Sequence, residues 1–419
     1  MKILIVGSGA REHALAKAVT RSSQLSDLYA AGTHLNPGIA ALATASTLDE
    51  NIVAFAQRKA VDLAIIGPEK FLALGLTDAL QRKGISVVGP TQKLAQIETS
   101  KGFTRDLMKK YGIAGLPRYQ RFSSFNTQTA NFLCALNDNY VLKADGLMSG
   151  KGVYVSGEHV FSLAEAKHLC QTLKGPFVIE EKLSGPEFSL LSFSDGKTLS
   201  HMPPVQDYKR LFIGDKGPNT GGMGSYTLAN HLLPFLTTED VIAAHKINEN
   251  VVAALQIECA TAYQGVIYGG FMKTATGIKV MEYNARFGDP EAINLLSLLT
   301  TDFVSVCKAI TSTQLHTLPL AFEQQASVCQ YVVPKGYPDK PHCDELNLQN
   351  VDKQDALYYA SVLKEGQDHC YRMLGSRALA VLELADTVSQ AKEKVTAIIS
   401  GIRGNYYYRS DIGKAKNNV

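Results

Sequence analysis

The sequence predicts an α/β protein that opens with a doubly wound parallel-sheet domain and closes with a small α+β domain. Three observations carry this prediction. Short apolar runs at 3–6, 63–66 and 85–88, each ending at a Gly, fit strands covered on both faces. Helical patterns lie between them at 13–20, 51–59 and 72–83, the alternation of a parallel sheet. From about residue 327, strands at 328–333 and 379–384 are mixed with a helix at 388–400.

A chain of 419 residues at 45% hydrophobic is long enough for two or three domains with real cores. The net charge of +3 sets up no field that would select nucleic acid or membrane as a partner. The N-terminal apolar run is too short for a signal peptide, and no stretch is long enough to cross a bilayer. The seven Cys are scattered without a C-x-x-C pair and the His lack zinc spacing, as expected of reduced thiols in a cytoplasmic protein. The cluster His342-Cys343-Asp344 sits in a Pro-flanked polar loop and reads as solvated.

The middle of the chain is richer. A helix at 99–111 carries several Lys and Arg, and a Gly/Pro link follows at 112–117. Strand 140–144 leads into a Gly-rich turn, then helix 163–173 and strand 177–181. Ser162 with Glu165, and Thr237 with Asp240 before helix 239–255, stand at capping-box spacing. A hairpin of 265–272 and 278–284 is joined by a Thr/Gly turn, and a long helix is expected over 291–311.

Six segments hold candidate chemistry. GSGAREHAL, 7–15, puts glycines at a strand-to-helix turn, where backbone N–H groups and the helix N-terminus make an anion site; a turn needed only for packing fits equally. No third Gly and no acidic residue at the right distance support a dinucleotide site, since Asp27 and Asp49 both sit poorly. IGPE, 66–69, would project Glu69 at the carboxyl edge of the sheet. In YVLKADGLMSGKGVYV, 140–155, Lys143 lies in an apolar strand and needs an anionic partner, while Gly150, Lys151 and Gly152 belong to a turn able to close over phosphates. VIEEKLSGPEF, 178–188, ends a strand in two carboxylates. GDKGPNTGGMGSY, 214–226, reads as a binding loop without strand or helix pattern. In VMEYNARFGDPE, 280–291, Glu282 and Asn284 are two apart on a strand and face one way, a carboxylate and an amide oxygen suited to a hard cation. Arg286 shares that parity if the strand continues and could grip a carboxylate or phosphate; a salt-bridge ladder is the competing reading.

Together these motifs resemble the phosphoribosylamine–glycine ligase family of purine biosynthesis, within the ATP-grasp superfamily, along nearly the whole chain. GPNTGGMG with NARFGDPE is the most specific combination, and SKGF (100–103), VQDYKR and YRSDIG (408–413) fall in the family's order. The resemblance implies an N-terminal α/β substrate-binding domain (1–100), an ATP-grasp core (101–120 and 190–326) with a mobile lid (121–189), and a C-terminal domain (327–419). It implies ATP and magnesium (or manganese) as cofactors. Lys101, Lys143 and the turn Gly150, Lys151 and Gly152 would meet phosphates; Glu180, Glu181 and Leu183 would frame adenine, with Glu187 at the ribose; Glu282 and Asn284 would hold the metal. Gly9, Arg11 and Glu69 would meet the phosphoribosyl group, and Asn219 and Thr220 with Asp207, Lys209, Arg286 and Asp289 the glycyl end.

The implied reaction joins glycine to 5-phosphoribosylamine through glycyl phosphate, in a monomer or weak homodimer. The chain departs from the family pattern at Ala10 (usually Gly), at Tyr208 (usually His), at Ala292-Ile293 after FGDPE, at LGSR (374–377), and in the loop around Pro341-His342. A related ligase with another acceptor or amino acid, and a catalytically silent nucleotide-binding protein, are the alternative readings.

Overall fold

The structure is a computed structural model that describes residues 1–47, 51–148, 152–366 and 368–414. At its centre, strand Lys2–Val6 pairs in parallel with Asp27–Ala31 and Leu63–Ile66, and Ala45–Thr47 and Ser86–Val88 close the edges. The sheet reverses direction of growth between Lys2–Val6 and Leu63–Ile66. The turns that follow these two strands, at Gly7 and Gly67, therefore open at the switch point where open α/β sheets bind ligands. Strands Asp27–Ala31 and Ala45–Thr47 escaped the sequence reading, the first because its run, Leu-Tyr-Ala-Ala, has no β-branched residue and ends in two weak strand formers, the second because it is three residues long.

Next along the chain comes a compact unit of four antiparallel strands in the order Tyr119–Phe122, Phe177–Glu181, Tyr140–Ala144, Val153–Val155. Helices Thr127–Ala135 and Leu163–Thr172 cover it. Its apolar cluster, which includes Phe122, Tyr140, Leu142 and Phe177, is separate from the main core that runs through the rest of the molecule. A second antiparallel sheet, in the order Leu199–His201, Glu187–Asp195, Gln264–Thr274, Gly277–Asn284, faces this unit and is backed by the helix Thr238–Cys259. The closing sheet runs Gln206–Asp207, Gly224–Thr227, Ala326–Pro334, Leu379–Ala385, Leu357–Tyr359, with helix Val388–Gly401 packed on it.

Four sequence expectations are corrected. The helix expected over 72–83 is two, Glu69–Ala73 and Leu76–Gln81, because Gly75 adopts φ +75° and breaks it. Residues 99–111 divide at Ser100, which ends Gln96–Thr99 and caps Lys101–Lys110 by accepting from Phe103 N. The helix at 291–311 also divides, into Glu291–Leu298 and Phe303–Thr311, since Asp302 starts a new helix by capping Ser305. The loop at 214–226 contains strand Lys216–Asn219, paired with Arg210–Phe212, and the start of Gly224–Thr227. Of the two capping boxes, Thr237 and Asp240 form theirs in full, whereas Glu165 accepts from Phe161 N rather than from Ser162. Among the described residues no helix is long and apolar enough to cross a membrane.

Candidate active site

The hairpin Gln264–Thr274 and Gly277–Asn284 contains a bulge that decides much of the site. Gly270 pairs with Glu282 but Phe271 with Val280, so Met281 is left without a cross-strand partner. Its carbonyl accepts from Lys143 Nζ at 3.1 Å and Arg105 Nη2 at 2.7 Å. Both cations also hold Glu180: Arg105 binds it bidentately at 2.7 and 3.0 Å, and Lys143 at 2.8 Å. Lys143 thus has the anionic partner its apolar strand required. Burial alone would raise the Glu180 carboxyl, but Arg105 and Lys143 reverse this and bring it to about 2. The Glu180 side chain faces inward, so what this segment offers outward is main chain. Glu181 N and Lys182 N donate to Arg118 and Asn139 carbonyls, after which the chain leaves the sheet toward Leu183.

Beyond the bulge, Glu282 and Asn284 are both open to the cleft while Tyr283 between them is buried, so the two share a face. One end of the Asn284 amide lies 3.0 Å from Glu98 Oε1 and 3.3 Å from the Tyr283 carbonyl, two acceptors, so the atom that satisfies them is the Nδ2 donor. Its carbonyl oxygen then points away from Glu98, on the strand face that Asn284 shares with Glu282. Among the described residues no three His, Cys, Asp or Glu side chains are placed to hold a metal ion. Two protein oxygens nevertheless fit magnesium, which fills its shell with phosphate oxygens and water.

Lys209 points at the same place. Its Nζ stands 3.4 Å from Glu282, 3.7 Å from Glu187 and 4.0 Å from Asp207, one ammonium among three carboxylates. Lys209, followed by Lys143 and Lys101, holds the Glu282 carboxyl below its usual range against burial. Burial raises Glu187, and it raises Asp207 to about 6 despite Lys209 nearby. At neutral pH the folded protein therefore keeps Asp207 charged against a preference for the proton. Asp207→Asn is expected to raise the ligand-free Tm at pH 7.5, by about 1–2 kcal/mol of stability, while lowering ligase activity. An unchanged or lowered Tm in a melting scan would show that no such cost is stored at Asp207.

Arg286 lies past the end of the strand, which stops at Asn284, so strand parity does not place it. Two carboxylates do: Glu98 at 2.9 Å and Glu69 at 3.4 Å. Its Nη1 also donates to the Phe287 carbonyl at 3.0 Å. Burial would raise Glu69, but Arg286 and Arg11 together bring it below the normal range. Arg11 reaches the same loop by donating to Phe287 O at 3.1 Å, and its Nε binds Glu12 at 2.6 Å.

The N-terminal glycine turn differs in detail from the expected open anion seat. Glu12 fills it, accepting from Gly9 N at 2.6 Å. A Cβ at Gly67 would lie 1.9 Å from Glu12 Oε1 and one at Gly7 2.6 Å from Glu12 Cδ, so both glycines make room for this carboxylate. Thr220 is also turned inward, donating to Lys209 O at 2.9 Å and accepting from Gly222 N at 3.0 Å. Asn219 sits beside it, opposite Arg210. Asp289 is fixed by Tyr331 Oη at 2.5 Å and by Arg377 at 3.0 Å, and Arg377 Nη1 ties down the carbonyls of Gly221, Gly222 and Asp289. Lys101 donates to the Gly146 carbonyl at 2.9 Å, at the mouth of the glycine turn. Gly152 has φ +88° there, and Gly150 and Lys151 lie outside the described residues. Sequence reasoning missed Glu98, Arg105 and Arg377, each a lone charge far along the chain from its partners.

Three contiguous stretches of the chain match one family. Residues 1–98 match the phosphoribosylglycinamide synthetase N domain, 99–292 its ATP-grasp (A) domain and 327–415 its C domain. The phosphoribosylamine–glycine ligase of Methanosarcina acetivorans is 45% identical over 423 residues, covering 99% of this chain and 95% of that protein. The chain belongs to the phosphoribosylglycinamide synthetase family. It is an ATP-grasp ligase with the three-domain architecture of that family. The crystal structure of the Thermotoga maritima phosphoribosylamine–glycine ligase superposes with a TM-score of 0.82 at 26% identity, over 98% of this chain and 100% of that one. The biotin carboxylase domain of Hydrogenobacter thermophilus 2-oxoglutarate carboxylase, solved with MgADP, shares the fold (TM-score 0.68, 14% identity, 97% and 91% covered). Ligases of the ATP-grasp kind use ATP with a divalent metal and act on small molecules.

The departures from the family pattern can now be placed. Tyr208 is buried, with Arg409 at 4.8 Å over its ring, on the face of its segment opposite Asp207 and Lys209. Ala292 and Ile293 are core residues of helix Glu291–Leu298. Ala10 is the first residue of helix Ala10–Thr20, a position where Ala is unstrained. LGSR supplies Arg377, which holds Asp289 and the glycine loop. Pro341 and His342 lie at the molecular surface, and the Lys340–His342 stretch closes its own turn through Lys335 and Gly336. Ala10, Tyr208, Ala292 and Ile293 are buried in packing, and among these departures LGSR alone touches residues assigned to the glycyl end, through Arg377.

Proposed function

We propose that this chain joins glycine to 5-phosphoribosylamine with cleavage of ATP, through glycyl phosphate, giving glycinamide ribonucleotide, ADP and phosphate. One observation carries the reading. Lys101 and Lys143, the oxygens of Glu282 and Asn284, and Arg286 between Glu69 and Glu98 come from separate segments to one cleft below the switch point of the parallel sheet. The family relation supports the same substrates.

In this reading the phosphates of ATP lie between Lys101, Lys143 and the turn that contains Gly150, Lys151 and Gly152. The main chain of Glu181 to Leu183 borders the adenine, and Glu187 meets the ribose. Glu282 and Asn284 hold a magnesium or manganese ion, which neutralises phosphate charge when bound. Arg286, with Asp207 and Lys209 across the cleft, orients glycine so that a carboxylate oxygen attacks the γ-phosphorus as the bond to ADP breaks. The nitrogen of phosphoribosylamine then attacks the carbonyl carbon, the phosphate leaves, and the nitrogen loses a proton. Gly9, Arg11 and Glu69 border the phosphoribosyl group, and Asn219, Thr220 and Asp289 shape the loop over the glycyl end. Catalysis here is positioning and charge stabilisation.

The unit with its own core serves as the lid; it runs from Tyr119 to Glu181 rather than over the expected 121–189, since Tyr119 and Gln120 pair within its sheet and Glu187–Asp195 belongs to the second sheet, and the rest of 101–326 forms the core between domains 1–100 and 327–419. Its closure excludes water from the acyl phosphate. The enzyme works in the cytoplasm as a monomer or weak homodimer. An ADP-release assay with each substrate omitted in turn tests the function, with hydroxylamine added to trap glycyl phosphate as the hydroxamate. ADP release and hydroxamate formation should require glycine, and full turnover should require phosphoribosylamine. Turnover independent of glycine would sink the proposal.

A further inference from the structure

Asn284 poses a chemical question that the metal assignment by itself does not answer. The oxygen and nitrogen of a side-chain amide are nearly the same size, yet one attracts a cation and the other repels it. Packing cannot choose between them, so a neighbouring acceptor must. Two acceptors do so, the Tyr283 carbonyl at 3.3 Å and, closer and charged, Glu98 at 3.0 Å, from the short helix Gln96–Thr99, almost two hundred residues away in sequence and outside every motif.

Three consecutive residues turn a donor group to this one carboxylate, two to hydrogen-bond it and Arg286 to form an ion pair. Asn284 Nδ2 reaches Oε1 at 3.0 Å, Ala285 N reaches Oε2 at 2.7 Å, and Arg286 Nη2 reaches Oε1 at 2.9 Å. The Glu98 side chain is only 5% exposed, so no water competes for these bonds. A carboxylate accepts all three, whereas a protonated acid or an amide would turn a donor of its own toward one of them. The residues that follow bind the opposite wall of the cleft: Ser100 Oγ and Gly102 N donate to Asp145 at 3.1 and 3.3 Å, and Lys101 to Gly146 O at 2.9 Å.

We infer that Glu98 is a positioning residue that fixes the polarity of the Asn284 amide, so that its carbonyl oxygen and not its nitrogen faces the cation site. The inference rests on the proposed metal ligation by Glu282 and Asn284. It makes an unusual prediction about polarity. In Glu98→Gln the new amide keeps its oxygen on Ala285 N, a main-chain donor that cannot move, and turns its NH2 to Asn284 and Arg286; Arg286 retains Glu69 and the Phe287 carbonyl, whereas Asn284 flips and presents its own NH2 to the cation. Adding Asn284→Asp removes the problem, because a carboxylate has oxygens on both sides.

The test is Mn2+ binding in the presence of saturating ADP, followed by the EPR signal of free Mn2+, with ligand-free melting curves alongside. Glu98→Gln should weaken Mn2+ binding about 10-fold, the lower range for loss of a group that orients a metal ligand. Glu98→Gln with Asn284→Asp should recover most of that loss. Two results would overturn the inference. One is wild-type Mn2+ affinity in Glu98→Gln while Asn284→Ala binds weakly. The other is a loss that Asn284→Asp does not restore and that comes with a lowered ligand-free Tm, the mark of a merely structural residue. If instead Asn284→Ala and Glu282→Ala both bind Mn2+ as the unaltered protein does, the metal assignment itself fails.

Discussion

Arg286→Ala is expected to lower kcat by about 100- to 1000-fold, equivalent to about 2.7–4 kcal/mol of transition-state stabilisation. In the proposed function Arg286 is the cation at the reacting end of the cleft, and its guanidinium is already held by Glu98 at 2.9 Å, Glu69 at 3.4 Å and the Phe287 carbonyl at 3.0 Å. A preorganised charge of this kind needs no rearrangement as negative charge develops on the transferring phosphoryl group. Removal has a second consequence. Glu98 is buried, and burial already pushes its carboxyl up, with Arg286 the chief opposing charge. Arg286→Ala should therefore also lower stability, by a few kcal/mol, by leaving a buried carboxylate short of its partner. Arg286→Lys would keep the charge but not the planar fork that serves Glu98 and Phe287 together, so it should rescue stability better than turnover. Steady-state kinetics with melting curves measure both effects. Retention of kcat within 10-fold in a folded Arg286→Ala would remove Arg286 from the reacting centre.

Glu180→Gln is expected to have the largest effect on stability, and that effect should depend on pH with a definite sign. The Glu180 carboxyl is brought from 4.5 to about 2, because burial, which would raise it, is outweighed by Arg105 and Lys143. A carboxyl whose pKa is depressed on folding stabilises the fold above its unfolded pKa and loses that contribution as pH falls through its folded one. The contribution is thus complete above about pH 4.5 and gone near pH 2. A difference of 4.5 − 2 = 2.5 corresponds to about 3 kcal/mol. Melting curves of the unaltered chain and of Glu180→Gln should be well separated at pH 7 and should converge as pH is lowered through that window. Separation that stays constant down to pH 3 would mean that the ion pairs contribute little. Lys143 loses its anchor in the variant as well, so the KM for ATP should rise.

How far the site could be read from the sequence depended on how local each interaction is. Glu282 and Asn284 were legible because strand parity operates over two residues. Lys143 was legible as a charge in need of a partner, and Glu180 supplied it. Arg286 was legible as a residue type, but its placement was not, since the strand ends at Asn284 and the side chain is aimed by Glu69 and Glu98 instead. The N-terminal turn was recognised as special, yet its glycines accommodate the Glu12 carboxylate, a contact no spacing rule specifies. Helix breaks at Gly75 and Asp302 were hidden by continuous helical patterns on either side. The departures at Tyr208 and Ala292 looked like changes to the acceptor pocket, and burial places them in the core.

By itself, the sequence determined the parallel sheet of the first domain, the order of the phosphate, loop and metal motifs, and the family they belong to, because each is encoded in short periodicities and contiguous runs. Tertiary structure alone decided which charges meet. The bulge at Met281 that receives Lys143 and Arg105, the ring of carboxylates around Lys209, and Glu98 beneath Asn284 and Arg286 all join residues distant along the chain. The physical reason is that an ion pair or hydrogen bond is set by distances of a few ångströms in space, and sequence separation carries no information about those until the sheets have packed.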